Sequence, residues 1–165
     1  MHSFLIPNNQ TKEETYKSLL PQLEALLEHD IPCLSNMSNF IAALKETFGW
    51  WWIGFYFVHQ NELILGPFQG PIACTRIAKG KGVCGTSWIE KKIMIVPDVN
   101  KFPGHIACST ASQSEIVLPI MIDNSVIGVL DIDSENLNQF DLTDQIYLEK
   151  AIEIMAPILA NFKLS

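Results

Sequence analysis

The chain carries a single arginine, Arg76, and its 18 acidic residues outnumber 11 basic ones, for a formal charge of −7. Arginine is the usual partner of phosphate and guanine, so nucleic acid and other polyanions are excluded as ligands. Long apolar runs are also missing. The longest, Gly49 to Val58, has ten residues and is too short to span a bilayer. The opening MHSFLIPNNQ puts no basic region ahead of its few apolar residues, which reads as no signal peptide and a cytoplasmic protein. No repeat, low-complexity tract or linker breaks up the 165 residues, so one compact domain over residues 1–165 is expected. The paired C-x2-4-C knuckles of a structural zinc site are absent, and neither metal nor cofactor is expected. Four cysteines are present: Cys33, Cys74, Cys84 and Cys108. In a reducing compartment they would not form a structural framework, which makes their reactivity the question.

Thr11 and Glu14 form a capping-box pattern ahead of Leu19, Leu20, Leu23, Leu26 and Leu27 at helical spacing. Pro21 predicts a break or restart near the first turn. A second helix carries Met37, Phe40, Ile41, Leu44 and Phe48 and stops at Gly49. The period then changes. Trp50–Val58, Glu62–Leu65, Pro71–Ile77, Ile93–Val96, Glu115–Ile122 and Val126–Asp133 read as strands. Asp123-Asn124-Ser125 is too short for a crossover, so the last two strands form an antiparallel hairpin. Asp141 caps a final helix running to about Phe162, bent by Pro157. The fold class is α+β: one six-stranded antiparallel sheet with N- and C-terminal helices packed on it. The long irregular stretch from Pro97 to Ser114 is the kind that carries function.

Gly80-Lys81-Gly82-Val83-Cys84-Gly85 matches G-x-G-x-x-G, but a dinucleotide site needs a parallel βαβ series and an antiparallel hairpin follows. A glycine-rich turn into a short helix, Val83–Lys91, is the reading instead. Cys33, beside Pro32 and Leu34, reads as an inert core cysteine. Cys108 lies in the polar loop Gly104-His105-Ile106-Ala107-Cys108-Ser109-Thr110, where a thiol can meet solute. Cys74 and Cys84 precede it, so a nucleophilic thiol with a resolving partner is available. Asp131 and Asp133, two apart on one strand, extend the face that carries Ile127 and Val129. A two-residue turn pairing Ile122 with Ser125 would send Glu115 to the opposite face. A three-residue loop, or a bulge of equal effect, sets Glu115 across from Asp133. On the first strand Trp52, Gly54 and Tyr56 share a face and would leave a slot walled by two rings.

Taken together, these residues resemble the free methionine-(R)-sulfoxide reductases, small enzymes built on a single GAF domain. The similarity runs over nearly the whole chain. It is densest in Trp51-Trp52-Ile53-Gly54-Phe55-Tyr56, Gly70-Pro71-Ile72-Ala73-Cys74, Gly82-Val83-Cys84-Gly85-Thr86 and Val96-Pro97-Asp98-Val99. It continues in Phe102-Pro103-Gly104-His105-Ile106-Ala107-Cys108, Ser114-Glu115-Ile116-Val117 and Gly128-Val129-Leu130-Asp131-Ile132-Asp133-Ser134. The resemblance implies a GAF-like sheet and reduction of free L-methionine (R)-sulfoxide. Cys108 would be the catalytic cysteine, Cys74 the main resolving cysteine, and Cys84 an alternative or relay thiol. Glu115, Asp131 and Asp133 would hold and activate the substrate, with Trp52 and Tyr56 walling its S-methyl group. A homodimer and a dithiol reductant such as thioredoxin are implied as well. The alternative is a non-catalytic GAF module that binds a small molecule or senses oxidation.

The chemistry suits these residue types. A sulfoxide is a poor electrophile until its oxygen is hydrogen-bonded or protonated. Three crowded carboxyls cannot all stay ionised cheaply, so at least one keeps a proton near neutrality and can donate it. Glu115 is the preferred donor, and the roles of the three are exchangeable. The remaining carboxylates pair with an amino acid's ammonium, which a methionine inside a polypeptide lacks. The same acids raise a thiol's pKa and so oppose a thiolate. His105 could offset that, although a loop histidine without a catalytic part is the simpler reading.

Overall fold

The structure is a computed structural model that describes residues 5–104, 111–160 and 162. In chain order the elements are α1 (Lys12–Leu26), α2 (Cys33–Phe48), β1 (Trp52–His59), β2 (Glu62–Gln69), β3 (Arg76–Ala78) and α3 (Gly82–Glu90). They are followed by β4 (Met94–Val96), a 3-10 turn (Val99–Lys101), β5 (Ser114–Ile122), β6 (Ser125–Ser134) and α4 (Leu142–Leu159). The strands form one sheet in the order β3-β2-β1-β6-β5-β4, antiparallel at every junction. This is the expected α+β architecture, a GAF fold.

The caps explain the helices. Thr11 and Glu14 complete the capping box of α1, and Asp141 does the same with Asp144 for α4. Gly49 ends α2 in the left-handed conformation that glycine takes most easily. Contrary to expectation, α1 runs through Pro21 without a break. Pro21 is exposed, so water can take the carbonyl that the missing N–H leaves unpaired. The expected strand Pro71–Ile77 shrinks to β3, while β2 extends to Gln69. Pro71 cannot donate to a ladder, and residues 70–75 form an irregular connection. The final helix stops at Leu159, short of Phe162.

Alternation along the strands splits the interior in two. Ile53, Phe55, Phe57, Ile116, Leu118, Ile120, Leu130 and Ile132 face α1, α2 and α4 in the larger core. Trp52, Tyr56, Val117 and Val129 point to the other side, where they meet Val83, Cys84 and Trp88 of α3. Topology places α3 there. The chain leaves β3 at one edge of the sheet and must reach β4 at the other, so α3 is laid across the intervening face. The same arrangement rules out the parallel βαβ unit that a dinucleotide fingerprint requires.

Candidate active site

Two rows across the sheet assemble the site. In the first, Glu115 of β5 pairs with Asp133 of β6, which pairs with Trp52 of β1. In the next, Val117 pairs with Asp131, which pairs with Gly54. Directly opposed side chains have Cβ atoms about 5 Å apart, so three strands bring these groups into one patch. The register comes from a bulge. Ile122 pairs with Ser125 around a two-residue turn in which Asp123 and Asn124 both have positive φ. Met121 then pairs with Val126 but Ile120 with Gly128, leaving Ile127 as the extra residue. Ile127 therefore leaves the face of Val129 and packs against the helix-side core, while Val126 joins the α3-side cluster. That corrects the expectation that Ile127 shares a face with the two acids.

A small cavity of about 50 Å3 opens over this patch. Its lining includes Trp52, Tyr56, Cys84, Glu115, Asp131 and Asp133, and also Ser112 and the stretch from Pro71 to Ala73. Glu115 is 6% and Asp131 7% exposed. The acids do not emerge into water at a strand end. Burial pushes the Glu115 carboxyl well above its ordinary range, and Asp131 and Asp133 push it further. Burial and then Asp133 do the same to Asp131, whose Oδ1 has no hydrogen-bond partner among the described residues. Burial raises Asp133 to about 6, held back by a hydrogen bond donated by Ser112 Oγ. Lys81, exposed at the margin, is the basic residue among those lining the cavity.

The aromatic wall is present but built differently from the expected slot. Trp52 and Tyr56 stack with centroids 6.0 Å apart, and Phe68 stacks on the other side of Trp52 at 5.5 Å. A Cβ on Gly54 would lie 2.5 Å from Trp52 Cη2, so the indole itself lies over the glycine and no open slot remains there. Trp52 Nε1 donates to Pro71 O at 3.1 Å, and the Tyr56 hydroxyl donates to Cys74 O at 3.0 Å. The two rings thus anchor the connection that carries Cys74.

Cys84 is a free, buried thiol on the first turn of α3, its Sγ donating to Glu115 Oε1 at 3.9 Å. Burial and then Asp131 and Glu115 hold it in the protonated form. Cys74 is disulfide-bonded, and Cys33 is a half-buried free thiol at the start of α2. Cys108 and His105 lie outside the described residues.

The comparisons with known proteins decide the family. The GAF domain model matches residues 37–160. "GAF domain-containing protein A" of Dictyostelium discoideum is 57% identical, covering 88% of this chain and 92% of its own. The free methionine-R-sulfoxide reductase of Escherichia coli is 42% identical over 91% of this chain and 92% of its own. The solved free methionine-R-sulfoxide reductase of Neisseria meningitidis, in complex with its substrate, superposes with a TM-score of 0.92. That structure is 46% identical, with 97% of this chain and 96% of that one covered. The chain belongs to the free methionine-R-sulfoxide reductases. It is an oxidoreductase of that family, and among its described residues no helix is long and apolar enough to cross a membrane.

Within this reductase fold, sequence reasoning missed Ser112. No motif singles it out, and a short polar residue three before Glu115 was the one signal available. It missed the contribution of α3 as well. Cys84 reaches the acids because α3 crosses the sheet, so that one ligand atom each from Cys84, Glu115 and Asp131 lies within 4.8 Å of the others. Such a set can hold a proton, an ammonium group or a cation.

Proposed function

We propose that the protein reduces free L-methionine (R)-sulfoxide to L-methionine. The observation that carries this reading is the buried carboxyl cluster, Glu115, Asp131 and Asp133, facing one cavity beside the Trp52–Tyr56 wall. Glu115, buried and crowded by Asp131 and Asp133, keeps its proton and donates it to the sulfoxide oxygen. Asp133, supported by Ser112, is the carboxylate most readily ionised near neutral pH and pairs with the substrate ammonium. Asp131 Oδ1 accepts from the same group. An ammonium entering this cavity offsets charge that a methionine inside a polypeptide would leave unpaired, which favours the free amino acid.

Cys108, as thiolate, attacks the sulfoxide sulfur. Its sulfur gives up two electrons and becomes a sulfenic acid, while the sulfoxide takes them and leaves as methionine. Cys74 then condenses with the sulfenic acid, forming a disulfide and releasing water, and thioredoxin or a similar dithiol restores both thiols by exchange. What supports Cys74 over Cys84 as the resolving residue is that Cys74 is disulfide-bonded, while Cys84 is a free thiol kept protonated. The chain works as one GAF domain over residues 1–165, in the cytoplasm, as a homodimer. Exposed Leu142 and Ile146, four apart on α4, supply apolar surface for that contact.

The test is turnover of racemic methionine sulfoxide with dithiothreitol and chiral product analysis. About half the mixture should be converted, leaving the S epimer. Cys108→Ser should abolish turnover and Cys84→Ser should retain it with dithiothreitol. Full activity in Cys108→Ser rejects the mechanism, and tight binding of another small molecule without turnover supports a sensor.

A further inference from the structure

We propose that Cys84, Glu115 and Asp131 form a binding site for a soft divalent cation of the zinc type, within the cavity that takes the substrate. Three observations carry it. The thiol sulfur and one oxygen from each carboxylate already lie within 4.8 Å of one another, with Cys84 Sγ 3.9 Å from Glu115 Oε1. Tetrahedral zinc with one sulfur and two oxygen ligands holds those atoms about 3.4–3.6 Å apart, so small side-chain rotations close the set. Asp131 Oδ1, on a residue 93% buried by its 7% exposure, lines the cavity without a hydrogen-bond partner among the described residues. Finally, three carboxyls converge where the basic residue of the lining, Lys81, is exposed at the margin. That is an environment short of positive charge.

A divalent ion answers each of these features. It replaces the Cys84 thiol proton and the proton that Glu115 holds, both of which leave to solvent, and forms a metal–thiolate bond that an ammonium group cannot make. It gives Asp131 Oδ1 a partner and brings two positive charges against the carboxylates. A fourth position stays open toward the cavity for water. Because Asp131 and Glu115 also serve the substrate in the function proposed above, the ion and the sulfoxide exclude each other. Binding itself stands whether or not that function does.

The experiment uses the full chain in its disulfide form, with Cys33→Ser removing the other thiol that is free among the described residues. Cadmium is titrated while the ultraviolet thiolate-to-cadmium charge-transfer band is followed, with zinc as competitor. One equivalent per chain should bind, with release of more than one proton, and zinc should displace it. Zinc-edge absorption should show one sulfur among oxygen or nitrogen ligands. Cys84→Ser should remove the band, and Glu115→Gln or Asp131→Asn should weaken binding at least tenfold. No band in the Cys33→Ser protein, or a band that survives Cys84→Ser, overturns the site. So does an affinity unchanged by both carboxylate substitutions. Because the first measurement needs no substitution in the site, misfolding of a site variant cannot obscure the result. Metal binding without any sulfoxide turnover would reject the proposed function and leave the metal site intact.

Discussion

Glu115 stands opposite Asp133 across the β5–β6 ladder, although the turn joining those strands has two residues and by itself would place Ile132 there. The extra residue, Ile127, changes the parity between the turn and the site. Because the bulge absorbs it, deleting Ile127 should leave Glu115 on Asp133 and Gly54 on Asp131. The cost should be about 1 kcal/mol for a partly buried isoleucine, with turnover retained. Thermal melts and the sulfoxide assay on this deletion check it. An inactive, well-folded Ile127 deletion would refute the account of the register.

Much of this was legible because period-2 alternation in β1, β5 and β6 is strong, so the pairs Asp131/Asp133 and Trp52/Tyr56 each fell on one face in the sequence itself. Register was legible only as a choice between two turns, since pairing depends on where one unpaired residue is absorbed. The position of Cys84 beside the acids was not legible by spacing, because it follows from β3 and β4 lying at opposite edges of the sheet. Pro21 misled because its penalty falls on an exposed carbonyl that water can satisfy. Ser112 has no periodic signal, and its role exists only through the fold.

Gly54 is where the Trp52 indole lies. Adding a methyl there brings a carbon to 2.5 Å from both Trp52 Cη2 and Phe68 Cβ, closer than real contacts allow. Gly54→Ala should therefore cost about 1–3 kcal/mol and displace the indole from its hydrogen bond to Pro71 O. Thermal unfolding and tryptophan emission report the two effects, and an unchanged emission spectrum would show that the indole had not moved.

Ser112 donates to Asp133 and favours its ionised form. Removing the donor in Ser112→Ala should raise the Asp133 pKa above about 6. The acidic limb of the pH–rate profile should move upward, and Ser112→Thr, which keeps the hydroxyl, should restore it. A loss of rate that is equal at every pH would assign Ser112 a packing role instead.

The carboxyl cluster also fixes the sign of a stability change with pH. Asp133 titrates at about 6 in the folded chain, against about 4 for an unfolded aspartate. Between those values the folded protein holds a proton that the unfolded chain has released, so stability falls as pH rises. For Asp133 the loss is at most about 3 kcal/mol, complete once pH passes its folded pKa. Glu115 and Asp131, raised further, extend the fall to higher pH. Acids whose pKa is lowered, such as Asp98 and Asp141, act in the opposite direction at lower pH, so the informative quantity is a difference between proteins. Asp133→Asn should be more stable than the parent at about pH 8, and the gap should shrink or reverse toward about pH 5. Thermal melts at both pH values measure it. A gap that widens on acidification would mean that Asp133 is stabilised as an anion in the folded protein, contrary to its place in the cluster.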